Sequence, residues 1–169
     1  IIGYIGIMCI KGDDKLKFKE EYSHNFGKQL TVEKKLYDEI INCIFIPEIG
    51  VCKGITGELK ATVERNCTEF GWVINPTVAK GYGLTINAMK NRVGLMIQTG
   101  NITRAFYDLL KFQSMYIMDK IDGCILVVPT VEAAKLLGSN ISNFTRVRNE
   151  LKLYKHTINL PCLIIGIDQ

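Results

Sequence analysis

The sequence predicts an α/β fold: a mixed sheet with helices on both faces. Three observations carry that reading. The runs NRVGLMIQT, IDGCILVVPT and NLPCLIIGID are close to continuously apolar, as strands covered on both faces are. Between them lie stretches whose apolar residues recur at helical spacing. Gly100, Pro129 and Gly138 mark the borders between these segments. The 169 residues predict one domain over 1–169, long enough to bury a sizeable core.

The bulk properties narrow the class. Apolar residues at 47% and charged residues at 22% are ordinary for a globular chain, and there is no repeat or low-complexity tract. A net charge of +4 permits a polyanionic partner without requiring one. The opening run IIGYIGIMCI is too short to span a bilayer, and no cleavage site follows it. It reads as a buried strand, so no membrane partner is expected. The chain opens without Met, which suggests trimming at its start. Six scattered Cys, with no CxxC pair, mostly sit in apolar runs. They are expected to be free thiols of a cytoplasmic protein. His24 and His156 lack metal-ligand spacing.

Taken in order, residues 11–29 are charge-rich and read as a loop or mobile segment. Thr31 can cap a helix to about residue 45, with Val32, Leu36, Ile40, Ile41 and Ile44 on one face and Pro47 and Gly50 as stops. Thr56 can cap a second helix, with Leu59, Val63, Cys67 and Phe70 as its stripe and Gly71 ending it. Trp72 should anchor the next segment in the core, and residues 75–83 read as a turn-rich connection. A short strand is expected at 84–87 and a longer one between Asn91 and Gly100. Thr103 can cap a helix to about residue 117, with Phe106, Leu109, Leu110 and Gln113 along one side. A strand ended by Pro129, a short helix ended by Gly138, a polar segment with a helical turn or two, and a last buried strand complete the order.

One strand raises a chemical question. Side chains alternate along a strand, so Val93, Leu95 and Ile97 share the core face. Gly94, Met96 and Gln98 share the other, which the polar Gln98 suggests opens to a cleft. Asn87, nine positions before Met96, can lie across from them. Three groups at two strand ends is the layout of a divalent-metal nuclease site, where carboxylates hold Mg²⁺ against a phosphate. By itself a Met on a strand is more often packing, and an Asn before a strand is more often a turn residue.

The stretch GLMIQTGNITRAFYDLLKFQ, followed by IDGCILVVPT, SNISNFTRVRNELK and LPCLIIGID, resembles the BglII/BstYI group of type II restriction endonucleases, over about residues 30–168. The group's motif is an Asp, eight residues, a Glu, one residue, then Gln or Glu, with a helix starting after Gly-Asn. The matching positions are Asn87, Met96 and Gln98, and the Gly100-Asn101 pair is present. The resemblance implies a restriction-endonuclease-like PD-(D/E)xK core and a homodimer. It also implies Mg²⁺-dependent cleavage of double-stranded DNA at a palindrome centred on GATC. Both motif carboxylates are replaced. An Asn lacks the charge that holds Mg²⁺, and a Met sulfur is a poor ligand for a hard cation. Hydrolysis is therefore expected to be very slow or absent. Glu58, Glu64, Glu69 and Asp108 are the nearby acids that a relocated site would use. An inactivated enzyme or a natural relative that binds without cutting would both carry these changes, and so would an interaction module reusing the fold.

DNA contacts are expected from cations flanking the site, Arg92, Arg104 and Lys111, and from Ser139, Asn140, Ser142, Asn143, Arg146 and Arg148 in SNISNFTRVRNELK. Cations would hold phosphates and small polar groups would read base edges. Taken singly, each such residue also fits a solvated surface loop.

Overall fold

The computed structural model describes residues 15–45 and 49–169. The expected strand at the chain start and the stop at Pro47 lie outside them. In chain order the elements are β1 (Lys17–His24), α1 (Gly27–Glu33), α2 (Tyr37–Phe45), α3 (Thr56–Glu69), β2 (Val73–Ile74), β3 (Ala88–Lys90), β4 (Val93–Ile97), α4 (Ile102–Ile117), β5 (Gly123–Pro129), α5 (Val131–Leu137), α6 (Phe144–Leu153) and β6 (Cys162–Asp168). The strands form one sheet in the order β1-β6-β5-β4-β3-β2. Its centre, β4-β5-β6, is parallel, and β1, β3 and β2 join antiparallel.

Helices cover both faces, so the sheet divides two cores. On one side Ile40, Ile44, Leu59, Val63 and Trp72 pack on Val93, Leu95, Ile97, Ile125 and Ile165. On the other Leu109, Phe112, Phe144 and Val147 pack on Met96, Leu126, Val128 and Ile164. The alternation expected along β4 is therefore present, with Met96 opposite its neighbours. Trp72 is buried, and its Nε1–H donates to Glu39 at 2.6 Å.

Several expected elements change. The charged segment 11–29 holds β1, which pairs with β6 as an edge strand from Lys17↔Asp168 to His24↔Cys162. Lys17 and Lys19 are exposed, as edge-strand charges often are, while Glu20 and Glu21 are half-buried, and that density of Lys and Glu hid the strand. The single helix expected from Thr31 is two, broken where Lys35 takes φ 59°. Thr31 lies inside α1, where its hydroxyl donates to the Gly27 carbonyl at 2.7 Å. Ile55, not Thr56, is the residue before α3, and Asn101, not Thr103, caps α4 by accepting from the Thr103 N–H at 2.9 Å. The strand expected at 84–87 falls instead at 88–90, because a hairpin sets its register. Asn91 and Arg92 both sit at positive φ, 48° and 64°, the requirement of a two-residue turn between twisted strands. α6 runs ten residues, longer than expected, because the Asn143 side chain caps it at the Arg146 N–H. Cys43, Cys67, Cys124 and Cys162 are free and buried. Cys52 is disulfide-bonded, against expectation; it lies in the loop before α3 rather than in an apolar run.

The hairpin turn is held from outside. Arg92 donates from Nε to Asp122 at 2.8 Å and from Nη1 to the Asp119 carbonyl at 2.8 Å, and Lys34 also pairs with Asp122. Burial raises the Asp122 carboxyl, but the hydrogen bonds and charges of Lys34 and Arg92 outweigh it and hold it below its ordinary range. A depressed carboxyl stabilises the fold at neutral pH and ceases to as the pH falls through the folded value. Asp122 is a third exposed, so Asp122→Asn is expected to cost at most about 1 kcal/mol at neutral pH. Urea unfolding at stepped pH should show the gap to the parent closing below the ordinary carboxylate range; a gap that persists in acid would contradict the assignment.

Candidate active site

The antiparallel register Ala88↔Leu95 sets Asn87 beside the end of β4. A cleft of about 360 Å³ opens there, lined by Asn87, Met96, Gln98 and Thr99 from the sheet side. Lys60 of α3 and Arg104, Tyr107, Asp108 and Lys111 of α4 are among its other lining residues. Gly94 lets α4 come this close: a Cβ there would lie 2.6 Å from the Phe112 ring. The three motif positions and two of the expected cations, Arg104 and Lys111, thus share one cavity.

Asn87 is buried and bonded at both ends. Its Oδ1 accepts from the Ile97 N–H at 2.8 Å, which fixes which end of the amide is oxygen. Its Nδ2 donates to Glu64 Oε1 at 2.9 Å. Glu64 also faces Lys60 at 3.6 Å. An amide suits this place without metal, because a carboxylate at this position would meet the Glu64 carboxylate across one hydrogen-bond length. Gln98 is equally engaged. Its Oε1 accepts from the Gly100 N–H at 2.9 Å and its Nε2 donates to Asp108 Oδ2 at 2.6 Å. Asp108 is buried, and its other oxygen accepts from Lys111 Nζ at 2.9 Å. Met96 is buried against the α4 side of the sheet.

These residues do not fit a hard divalent cation. The acids of the site are each committed to a neighbouring donor, the amide oxygens accept backbone N–H groups, and Met96 offers a thioether. Among the described residues no three His, Cys, Asp or Glu side chains come together as a metal site. Of the other acids considered for a relocated site, Glu58 and Glu69 are exposed and do not line the cleft.

The remaining expected contact residues lie apart. Arg92 is at the opposite end of β4, tied to Asp119 and Asp122. Ser139 and Asn140 lie in the loop after α5, with Asn140 exposed. Ser142 is buried, with its hydroxyl donating to the Asn101 carbonyl at 3.1 Å. The Asn143 side chain is the α6 cap, and Arg146 bonds Glu150. Arg148 lies over the Phe144 ring at 5.7 Å, with no partner for its buried Nε. A second cavity, lined by Lys135, Asn140, Asn143 and Arg146, joins this loop to the start of α4 through Ile102. Sequence reasoning missed Thr99, Lys60 and Tyr107 as cleft residues. The signal for Lys60 was its place one turn before Glu64 on one helix face; nothing marked Thr99.

Comparison with known proteins agrees with this fold. The profile of Endonuc-BglII, restriction endonuclease BglII/BglIII, matches residues 19–167. No curated protein matches by sequence. Among solved structures, restriction endonuclease BglII complexed with a DNA 16-mer superposes with TM-score 0.74 at 13% identity, covering 90% of this chain and 75% of that one. Free BglII superposes with TM-score 0.64 at 14% identity, covering 90% and 78%.

Proposed function

The chain belongs to the BglII/BglIII restriction endonuclease family, and from that premise we propose that it binds duplex DNA at a short palindromic, GATC-containing site without cutting it efficiently. The observation that carries this reading is the cleft itself. It keeps the family spacing at Asn87, Met96 and Gln98 and is lined by cations, yet the two motif carboxylates are an amide and a thioether. Mg²⁺ is the family's expected cofactor, and the donors here give it no anionic cage, so hydrolysis is impaired. The cations Arg104 and Lys111 hold backbone phosphate, and the loop from Ser139 through Asn143, with Arg146 and Arg148, supplies further contacts. A palindromic target calls for a two-fold homodimer. The groove between α4 and α6, lined by Phe106, Leu110 and Tyr154, offers it apolar surface. Among the described residues no helix is long and apolar enough to cross a membrane; a DNA-binding role would suit a cytoplasmic protein.

Binding to a GATC-containing duplex and to a scrambled one, measured across a salt series, tests the reading. Log affinity is expected to fall against log salt by about 0.9 per phosphate held, with the GATC duplex bound more tightly. Affinity that ignores both salt and sequence would instead favour an interaction module that has kept the fold and left DNA.

A further inference from the structure

The replaced carboxylates change the sign of the cleft as well as its ligands. Among its lining residues Lys60, Arg104 and Lys111 are cationic and Asp108 is acidic, and the Glu64 carboxylate borders the cleft on Asn87, which leaves an excess of one positive charge that two motif carboxylates would reverse. Lys111 is held by Asp108 and Lys60 faces Glu64. Arg104 is exposed, and its guanidinium has no hydrogen bond or ion pair among the described residues. A second, independent feature points the same way. Thr99 lines this cleft at 3% exposure, and its Oγ1 has no hydrogen-bond partner. A buried hydroxyl without a partner is costly, and an anionic oxygen in the cleft would supply the missing acceptor.

In a carboxylate nuclease site, the carboxylates and the phosphodiester repel each other, and a divalent cation relieves the repulsion. Neither repelling group remains at positions 87 and 96. We propose that this cleft holds a phosphodiester of duplex DNA directly, on Arg104, Lys111 and the Thr99 hydroxyl, and needs no divalent cation to do so. The proposal rests on the duplex-binding reading above and deepens it: the former metal site has become a metal-independent phosphate site.

Fluorescence anisotropy of a GATC-containing duplex, in EDTA and in Mg²⁺ at matched ionic strength, reads this out. The protein is expected to bind equally well in both. Arg104→Gln, a change at an exposed position, should lose affinity about tenfold and make the salt slope shallower by about one. Thr99→Val should lose about fivefold while raising Tm, since it removes an unpartnered buried hydroxyl; a merely structural Thr99 would not separate those readouts. Asn87→Asp with Met96→Glu should bind more weakly than the parent in EDTA and recover in Mg²⁺. Binding by the parent only in Mg²⁺, or parental affinity in both Arg104→Gln and Thr99→Val, would overturn the proposal and leave duplex binding standing. Failure to bind the duplex in either buffer would overturn both.

Discussion

Installing an acid at both proposed motif positions, Asn87→Asp with Met96→Glu, is expected to yield Mg²⁺-dependent cleavage of a GATC-containing duplex where the parent gives none. The structure explains why both changes are needed. Asn87→Asp alone would set a carboxylate against Glu64 where the Asn87 Nδ2 now donates at 2.9 Å, a repulsion that a bound cation or a retained proton would have to relieve. Met96→Glu alone would place one carboxylate beside an amide and leave the cation short of charge. The double variant brings two new carboxylates to the cleft, next to Glu64, and that set suits Mg²⁺. Calorimetry gives a readout that does not depend on turnover. Mg²⁺ should raise the Tm of the double variant and leave the parent's unchanged; at a hundredfold excess over Kd the stabilisation is about 2.7 kcal/mol. A folded, DNA-binding double variant that neither cuts nor gains stability from Mg²⁺ would show that the site has been misplaced.

Among the described glycines, Gly27→Ala is expected to be the most damaging added methyl. A Cβ at this position would lie 2.1 Å from the Cys162 carbonyl carbon and 2.3 Å from its oxygen. These are backbone atoms of β6, which is paired on both sides, so nothing can yield without moving the sheet. Overpacking of this kind costs about 3 kcal/mol or more, a fall in Tm of about 6–12 °C for a chain of this size. Gly57→Ala is the matched control. It lies in the first turn of α3 with nothing within 4 Å of the added atom, and should be neutral or slightly stabilising. Thermal melts of the two variants side by side check the contrast, and equal Tm values would contradict the close approach of α1 to β6.

The parts of the fold that were legible in the sequence are those with strong periodicity and firm punctuation. The helix ending at Ile117, the strand ending at Pro129 and the helix before Gly138 fall where apolar spacing and breakers put them. Elements set by partners distant in sequence were not legible. β1 is charged at four of its first five residues and exists because β6 offers it an edge. β3 is three residues long and is placed by the turn at Asn91 and Arg92, whose paired positive φ values no apolar pattern announces. The site divides in the same way. Alternation along β4 and the family spacing bring Asn87, Met96 and Gln98 to one cavity. What engages them was not readable, because Glu64 is 23 positions from Asn87 and meets it only through the packing of α3 on the sheet. Arg92 was misjudged because nearness in sequence to the motif is not nearness in space: a strand separates its two ends.

Whether the chain grips duplex DNA without cutting it can be tested in one experiment. Excess protein is incubated under single-turnover conditions with a labelled GATC-containing duplex in Mg²⁺, and each sample is divided between a native gel and a denaturing gel. Bound duplex on the first and intact strands on the second is the expected result. Mg²⁺-dependent strand cleavage by the unaltered protein would contradict it, and Glu64 and Asp108 would then be the first acids to replace.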